Sequence, residues 1–290
     1  MEGTVSCNTI QWFPGHMTKA MRMMEDNIAL VDAVIEIVDA RIPKSSSNPE
    51  LKKLANGKPM IALLNKSDLA DPDATAKWLS YYKDNGISAV AVDAKTGKGT
   101  ESIVPLVKQI LADKIAAYEA KGQAGRPIRL MIVGIPNVGK SSLINRLAKR
   151  KAAQTGDKPG VTKGKQWIKL QTNIELLDTP GVLWPKIENQ FSAELLAVTN
   201  AIKAEILDIE AVAADFIGVL ANRRPDMLLE RFKVQAEDDI SSFDLLEKAA
   251  VKRGFILRGG VADTERMAHT LLNEYRAGKL GRITLEYPDD

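Results

Sequence analysis

Cysteine is nearly absent from this sequence: Cys7 is its single cysteine, so no disulfide can form within the chain. Reduced cysteine is typical of the cytosol, and we expect a cytoplasmic protein. The first residues contain no basic segment followed by an apolar run, so we expect no signal peptide. No apolar run approaches the roughly 18 to 20 residues needed to cross a bilayer, and we expect no membrane partner.

Charge is unevenly distributed along the 290 residues. The chain has 40 Lys and Arg against 37 Asp and Glu, a net charge of +3. Residues 1–184 carry a balance of +8, whereas residues 185–290 carry −5. This asymmetry predicts two units with different surfaces, of which the first is better suited to a polyanion.

Apolar, β-branched runs alternate with helical patterns in the first two thirds of the chain. The predicted strands are Val31–Val38, Pro59–Leu64, Ser88–Val92, Ile128–Val133, and a pair at Gln166–Leu170 and Ile174–Leu177. The predicted helices are Asp73–Asn85, Ile103–Tyr118 and Lys140–Lys151, with a further helix at Asp263–Tyr275. We therefore predict an α/β fold with a doubly wound, mostly parallel sheet. After Trp184 the strand signal fades, so residues 1–27 are interpreted as an extension, 28–184 as the α/β domain and 185–290 as an all-helical domain.

The segment GIPNVGKS, Gly134–Ser141, matches the phosphate-binding loop pattern G-x-x-x-x-G-K-[ST] between a strand and a helix. Glycines let backbone N–H groups surround phosphate oxygens, and the helix N-terminus adds positive potential. Lys140 would reach the terminal phosphates, and Ser141 would supply a hydroxyl to Mg²⁺. The motif makes the predicted α/β fold one of the P-loop NTPase type. The predicted nucleotide contacts of this loop are Pro136, Asn137, Val138, Gly139, Lys140, Ser141 and Ser142.

A second motif, DTPG at Asp178–Gly181, follows a predicted strand. Asp178 would hold Mg²⁺ through water, and the N–H of Gly181 would meet the terminal phosphate. Thr162, in the sequence PGVT between the two motifs, is the predicted switch threonine for Mg²⁺ and that phosphate. A plain loop is the alternative interpretation of each.

The segment NKSD, Asn65–Asp68, is the predicted base reader. Guanine presents N1–H and N2–H₂ donors that one carboxylate can accept together, and Asp68 suits that role. Adenine has no such donor pair, so GTP is favoured over ATP. Asn65 would tie this loop to the phosphate loop, and the stem of Lys66 would lie on the base. The sequence Asp93-Ala94-Lys95 follows the next strand and would close over the base, with the N–H of Ala94 facing the guanine oxygen.

The order of these motifs is unusual, because NKSD precedes the phosphate loop by some 70 residues. Function needs the motifs to meet at one edge of the sheet and does not fix their order in the chain. Joining the original termini and opening the chain after the DTPG strand would preserve the site. The sequence therefore predicts a circularly permuted domain, with the join at Lys121–Pro127.

The chain resembles the circularly permuted GTPases of the YlqF/RbgA type. The matching pieces are IQWFPGHM (Ile10–Met17), VDAR-P (Val38–Pro43), LNKSDL (Leu64–Leu69), GIPNVGKSSLIN (Gly134–Asn145), PGVTKGKQW (Pro159–Trp167) and LLDTPGVLWPK (Leu176–Lys186). The resemblance implies a bacterial cytoplasmic factor in late assembly of the large ribosomal subunit. It also implies that the C-terminal helical domain contacts ribosomal RNA.

Residues for hydrolysis are less obvious. Val182 occupies the position directly after DTPG where many small GTPases have a water-orienting Gln, so we expect slow hydrolysis by the free protein. The family's PGHM motif places its proposed catalytic histidine at His16, which joins Lys140 and Thr162 as the predicted catalytic residues. A structural histidine beside Trp12 and Phe13 is the alternative. Asn137 resembles the asparagine with which related GTPases bind K⁺.

A basic stretch at Arg146–Lys169 has eight Lys and Arg against one acid, Asp157. We expect it to bind a phosphate backbone. The alternative is a helix face and loop that are only exposed to solvent. Lys252-Arg253 and Arg258-Gly259-Gly260 are further candidates for RNA contact. We expect the large-subunit precursor and its rRNA as partners, no DNA, and a monomer. A GTPase with a protein partner, a non-enzymatic RNA-binding module and an ATPase remain as alternatives.

Overall fold

The computed structural model describes residues 15–149, 153, 166–170, 173–184, 187, 190–202, 208–235 and 240–289, with only the backbone at 15–17. These residues form two compact units. One unit contains the described residues of 15–187 together with 286–289, and the other contains those of 190–285. The sequence assigned all of 185–290 to a helical domain, whereas 286–289 lie with the α/β unit.

The α/β unit is built on a six-stranded sheet in the order β3-β2-β1-β4-β6-β5. Its strands are β1 Ala33–Asp39, β2 Met60–Asn65, β3 Ser88–Ala91, β4 Ile128–Gly134, β5 Gln166–Lys169 and β6 Ile174–Asp178. In the sheet, β3, β2, β1, β4 and β6 each pair in parallel with the next strand of that order. The β5–β6 pair is antiparallel. The sheet confirms the predicted doubly wound, mostly parallel fold.

Strands β1, β2, β4 and β6 are buried almost throughout, which is why they appear in the sequence as continuous apolar runs and not as alternating patterns. Strand β3 is half-buried, and β5 at the edge of the sheet is largely exposed. All seven residues of β1 are buried, including the carboxylates Glu36 and Asp39. One layer of the core packs Val38 and Leu64 of the sheet against Trp78 and Tyr82. Burial of this kind supplies the main favourable free energy of the fold.

Helices connect the strands of this unit. They are α1 Gly15–Asn27, α2 Pro43–Ser46, α3 Leu51–Leu54, α4 Pro72–Asp84, α5 Ile103–Ile110, α6 Ala112–Ala120 and α7 Lys140–Ala148. Helix α4 begins at Pro72 because Asp71 caps it, accepting from the N–H of Asp73 at 2.8 Å.

Two helices differ from the prediction. The expected single helix Ile103–Tyr118 is broken at Leu111, whose backbone angles, φ −101° and ψ 15°, leave the helical region. Leu111 is 3% exposed, so the break coincides with a buried side chain. Helix α7 ends at Ala148 and not at Lys151, because Lys149 adopts a left-handed conformation with φ 52°.

The second unit is helical, as predicted. Its described helices are α8 Gln190–Val198, α9 Ile209–Arg223, α10 Pro225–Phe232, α11 Ser242–Lys252 and α12 Thr264–Arg276. Helix α9 packs against the other four. Its Phe216 meets Tyr275 of α12 with ring centroids 4.8 Å apart. Between α11 and α12, an isolated bridge joins Ile256 and Ala262.

None of the helices in the described part of the chain combines the length and the apolar character needed to cross a membrane.

Candidate functional site

The parallel strands bring the predicted motifs to one edge of the sheet. Asp39, the last residue of β1, pairs in register with Asn65, the last residue of β2. Gly134 at the end of β4 pairs with Ile37 of β1, and Asp178 at the end of β6 pairs with Ile132 of β4. Motifs that lie far apart in the chain therefore emerge side by side from the carboxyl ends of neighbouring strands, where α/β sheets bind ligands.

The phosphate loop runs from β4 into the N-terminus of α7. Gly139 has φ 100°, a conformation that favours glycine, and a Cβ there would collide with the side-chain amide of Asn65. A side chain at Gly134 is excluded as well, because a Cβ there would lie 2.8 Å from the carbonyl oxygen of Ile37. Asn137 also has positive φ, at 58°. The glycine pattern is thus explained by close backbone approach in the loop.

Lys140 and Asp178 form a buried ion pair between the phosphate loop and the DTPG motif. Lys140 is 6% exposed and Asp178 is 1% exposed. Burial lowers the pKa of Lys140, and the charge of Asp178 opposes that shift. Lys140 is the first residue of α7, and Ser141 follows it.

Asn65 connects three segments through its side-chain amide. Its Nδ2 donates to the carbonyl oxygen of Val138 in the phosphate loop at 2.7 Å. Its Oδ1 accepts from the N–H of Ala94 at 3.0 Å. Asn65 is 2% exposed, whereas Asp68 is exposed three residues later. The structure thus brings the 65–68 loop, the 93–95 loop and the phosphate loop together at the buried side chain of Asn65.

Asp93 faces its own loop. Its carboxylate accepts from the N–H of Lys95 at 2.7 Å and from the hydroxyl of Thr96. Burial alone would raise the pKa of Asp93, but these hydrogen bonds outweigh it and lower the pKa. The loop is also fixed from outside, because the guanidinium of Arg146 on α7 donates to the carbonyl oxygen of Lys95. Asp93 therefore shapes the loop in which Ala94 presents its N–H.

A buried ionic cluster lies beside the 65–68 loop, and sequence reasoning did not assign it a role. Asp39 receives two parallel hydrogen bonds from Arg41, at 2.9 and 2.8 Å, and pairs with Lys66 Nζ at 2.9 Å. Burial would raise the pKa of Asp39, but the charges of Arg41 and Lys66 hold it well below its usual range. The VDAR sequence was the available signal, because it places an acid and a base two residues apart at the end of a buried strand.

The DTPG segment lies against the phosphate loop. Thr179 Oγ1 donates to the carbonyl oxygen of Ile132 at 2.7 Å, and the N–H of Val182 donates to that of Gly134 at 3.2 Å. A Cβ on Gly181 would lie 3.0 Å from Pro136 Cα. Thr162 lies outside the described residues. His16 lies in α1, where only the backbone is described.

Comparison with known proteins agrees with this arrangement. A family model described as "50S ribosome-binding GTPase" matches residues 129–243. The chain is 48% identical over 285 residues to the ribosome biogenesis GTPase A of Priestia megaterium, covering 97% of this chain and 98% of that protein. The chain belongs to the ribosome biogenesis GTPase A family. The predicted family resemblance is thereby confirmed.

More distant relatives support the same family. The ribosome biogenesis GTPase A of Thermotoga maritima is 34% identical over 281 residues, covering 97% of this chain and 95% of that one. The solved GNP-bound YlqF from T. maritima matches with a TM-score of 0.64 and 29% identity, over 94% of this chain and 99% of that one. As a member of the ribosome biogenesis GTPase A family, this chain binds guanine nucleotide and hydrolyses GTP.

Proposed function

We propose that Asn65–Asp68, Asp93–Lys95 and Gly134–Ser142 surround one guanine nucleotide. The observation that carries this proposal is the side-chain amide of Asn65, which bonds to both the phosphate loop and Ala94. Asp68 accepts the N1–H and N2–H₂ of guanine, and the N–H of Ala94 faces the guanine oxygen. The stem of Lys66 lies on the base while its ammonium is held by Asp39.

At the phosphate end, Lys140 exchanges its bond to Asp178 for the oxygens of the terminal phosphates. Ser141 would then bind Mg²⁺ directly and Asp178 through water, and Thr162 is the proposed third residue. A hydroxyl with one carboxylate is a donor set that suits Mg²⁺, which binds through few carboxylates together with phosphate oxygens. When bound, Mg²⁺ neutralises charge on the β- and γ-phosphate oxygens.

For hydrolysis, we propose that a group other than Val182 orients the attacking water molecule. Val182 is aliphatic and 2% exposed, so it has no means of orienting a water molecule. His16 is the proposed residue for this task, with Thr162 on the phosphate. K⁺ held by Asn137 is the proposed additional positive charge. Turnover that survives both His16→Ala and replacement of K⁺ by Na⁺ would refute these two assignments.

The proposed biological role is a switch in late assembly of the large ribosomal subunit in the cytoplasm. In this scheme the GTP-bound protein docks on the precursor and its rRNA, and hydrolysis releases it. Membership of the ribosome biogenesis GTPase A family supports this role, and so does the basic balance of residues 1–184. The basic stretch Arg146–Lys169 is the proposed nucleotide-sensitive contact, although most of it lies outside the described residues.

The test is GTP hydrolysis by the full chain with and without isolated large ribosomal subunits. We expect slow release of phosphate by the free protein and a clear rise with the particles. Lys140→Ala is the matched control, because it should remove GTP binding and hence both rates. Hydrolysis unaffected by the particles would contradict the role in assembly.

The alternatives give different results in the same assays. Co-sedimentation with large subunits that depends on a non-hydrolysable GTP analogue, and weakens with salt, separates an RNA-bound factor from a GTPase with a protein partner. Phosphate release excludes a non-enzymatic binding module, and competition between GTP and ATP tests the base preference of Asp68.

A further inference from the structure

The residues after the helical unit contribute a buried carboxylate to the α/β unit. Glu286 is 3% exposed. Its carboxylate accepts from the N–H of Lys44 at 2.8 Å, from the N–H of Ser45 at 2.9 Å, and from the hydroxyl of Ser45. Its backbone carbonyl accepts from the indole of Trp78 at 2.9 Å. Both ends of this residue are therefore fixed inside the unit that carries the nucleotide site.

The segment that Glu286 holds is short and lies directly after β1. Helix α2 has only four residues, so it has little stability of its own. A carboxylate at its first turn satisfies N–H groups that would otherwise have no partner within the helix. Loss of Glu286 would thus release the start of α2, since buried donors without acceptors are costly.

From α2 the contacts continue to the Asn65–Asp68 loop, which the proposal above assigns to guanine and which is called the guanine loop below. The hydroxyl of Ser46 accepts from the N–H of Asp39 at 2.9 Å and donates to the carbonyl oxygen of Ile42 at 2.6 Å. The Asp39 carboxylate holds Lys66 Nζ at 2.9 Å. The carbonyl oxygen of Asn65 accepts from the N–H of Ala40 at 2.8 Å. Each step is a direct hydrogen bond or ion pair between buried or half-buried groups.

We infer that Glu286 is a positioning residue for guanine recognition, acting through α2 and Asp39 on the Asn65–Asp68 loop. The inference rests on the proposed assignment of that loop to the base. Glu286 fixes α2, α2 fixes the backbone of Asp39, and Asp39 fixes Lys66 two residues before Asp68. The orientation of Asp68 toward two donors of the base thus depends on a residue more than two hundred positions away in the chain.

Loss of the hydrogen bonds of Glu286 should therefore reduce the selectivity for the base and not only the stability of the fold. Hypoxanthine lacks the 2-amino group of guanine, so a well-placed Asp68 favours GDP over inosine diphosphate. A displaced Asp68 loses that discrimination, while the phosphate loop still binds both nucleotides. A mutation that merely unfolds part of the sample lowers the apparent affinity for both and leaves their ratio unchanged.

The experiment compares Glu286→Ala with Asp32→Ala, because each change removes every side-chain acceptor at its position. Asp32 is also a buried carboxylate, 8% exposed, that accepts from the hydroxyl of Tyr118 and the N–H of Arg129, each at 2.8 Å. It lies at the other end of β1, roughly 23 Å from Asp39 along an extended strand. Calorimetric titration gives the Kd of GDP and of inosine diphosphate for each variant, and thermal unfolding gives its stability.

We expect Glu286→Ala to weaken the binding of GDP on the order of tenfold and that of inosine diphosphate much less. Asp32→Ala should lower stability while keeping both the affinity and the ratio of the wild type. If Glu286→Ala does not fold, Ser45→Ala removes one of the same hydrogen bonds and should lower the ratio by a smaller factor. An unchanged ratio in the folded variants overturns the inference.

Asp68→Ala separates this inference from the proposed site. If Asp68→Ala reduces the ratio and the Glu286 and Ser45 variants do not, the guanine loop is correctly assigned and the positioning role of Glu286 is wrong. If Asp68→Ala also leaves the ratio unchanged, the assignment of the guanine loop itself fails.

Discussion

Buried carboxylates in this protein differ in whether a cation accompanies them. Asp39 has Arg41 and Lys66 beside it and is held ionised. Glu36, in the middle of the same strand, accepts instead from the N–H of Asn48 at 2.8 Å and the hydroxyl of Ser47 at 3.0 Å. Neutral donors offset the burial of a charge less well than a cation does. Glu36 is therefore a residue at which we expect pH to act on the fold.

The first prediction concerns Glu36→Gln. Burial raises the pKa of Glu36 to about 7, from an ordinary 4.5. A raised pKa means that the contribution of this group to stability is full below about pH 4.5 and is lost as pH rises through about 7. The free energy of unfolding of Glu36→Gln should therefore exceed that of the wild type increasingly across this range, by roughly 2 to 3 kcal/mol at pH 8.

Urea unfolding of both proteins between pH 4.5 and 8 measures this difference. Glu50→Gln is the control, because Glu50 has a side chain 44% exposed and forms only a surface pair with Lys53. Its difference from the wild type should stay small at every pH. A Glu36→Gln difference that does not vary with pH would show that Glu36 is ionised in the folded protein throughout.

Among the secondary-structure elements, strands were predicted best. The runs Pro59–Leu64 and Ile128–Val133 correspond to β2 and β4, because buried parallel strands leave continuous apolar sequence. The break at Leu111 was missed because its sequence neighbourhood is helical on both sides. The local sequence does not show which distant residue a polar group will contact. The hydrogen bonds of Glu286 to α2 and of Arg146 to the 93–97 loop could therefore not be predicted.

The same distinction applies to the candidate site. Asn65, Lys140 and Asp178 were predicted from motifs whose spacing encodes their chemistry, and the structure brings all three to one edge of the sheet. The direct bond between Lys140 and Asp178 was not predicted, since each was assigned a ligand. Asp39 is a similar case, because its pair with Arg41 lies within the VDAR sequence, whereas its second partner, Lys66, follows the next strand and could not be found locally.

In the helical unit, one carboxylate joins three elements. Glu274 of α12 accepts two hydrogen bonds from Arg231 of α10, at 2.9 and 2.7 Å, and one at 3.0 Å from Arg253, which follows α11. The hydrogen bonds from Arg231 lower the pKa of Glu274, despite partial burial. Charge-assisted, bidentate pairs of this kind are stronger than ordinary hydrogen bonds.

The second prediction is that Glu274→Gln destabilises the helical unit at pH 7 by about 1 to 2 kcal/mol, since both arginines are partly exposed and screened. Because the pKa is lowered, this stability is present above the ordinary pKa of 4.5 and is lost as pH falls below it. Hydrogen exchange of α10 and α12 should quicken at neutral pH. Glu265→Gln, at an exposed position of α12, is the control and should leave exchange unchanged.

At the scale of the whole molecule, chain order and spatial order are independent. Strand β4, which carries the phosphate loop, lies between β1 and β6, and the guanine loop follows β2 on the far side of β1. Permutation leaves the carboxyl edge of the sheet intact while it moves the ends of the chain. The end that follows the DTPG motif continues into the helical unit, so the segment that would respond to the γ-phosphate is covalently continuous with that unit.

The third prediction concerns the surface of the helical unit. Arg258 lies at the tip of the turn closed by the Ile256–Ala262 bridge, where Gly259 and Gly260 have φ of 91° and 84° and residues 256–261 are exposed. If this turn contacts rRNA as proposed, Arg258→Ala removes one phosphate contact. Binding to large-subunit particles with a non-hydrolysable GTP analogue should then weaken, and its dependence on the logarithm of salt concentration should fall by about one unit of slope.

The control for Arg258 is Arg224→Ala, a partly exposed arginine of the same unit that already pairs with Asp226 at 3.0 Å. It should keep the salt slope of the wild type, and both variants should keep the affinity for GTP, because neither residue belongs to the α/β unit. Equal loss of particle binding in both variants would indicate a general effect of net charge. An unchanged slope for Arg258→Ala would remove the turn from the RNA contact and leave the basic stretch of the α/β unit as the proposed electrostatic contact.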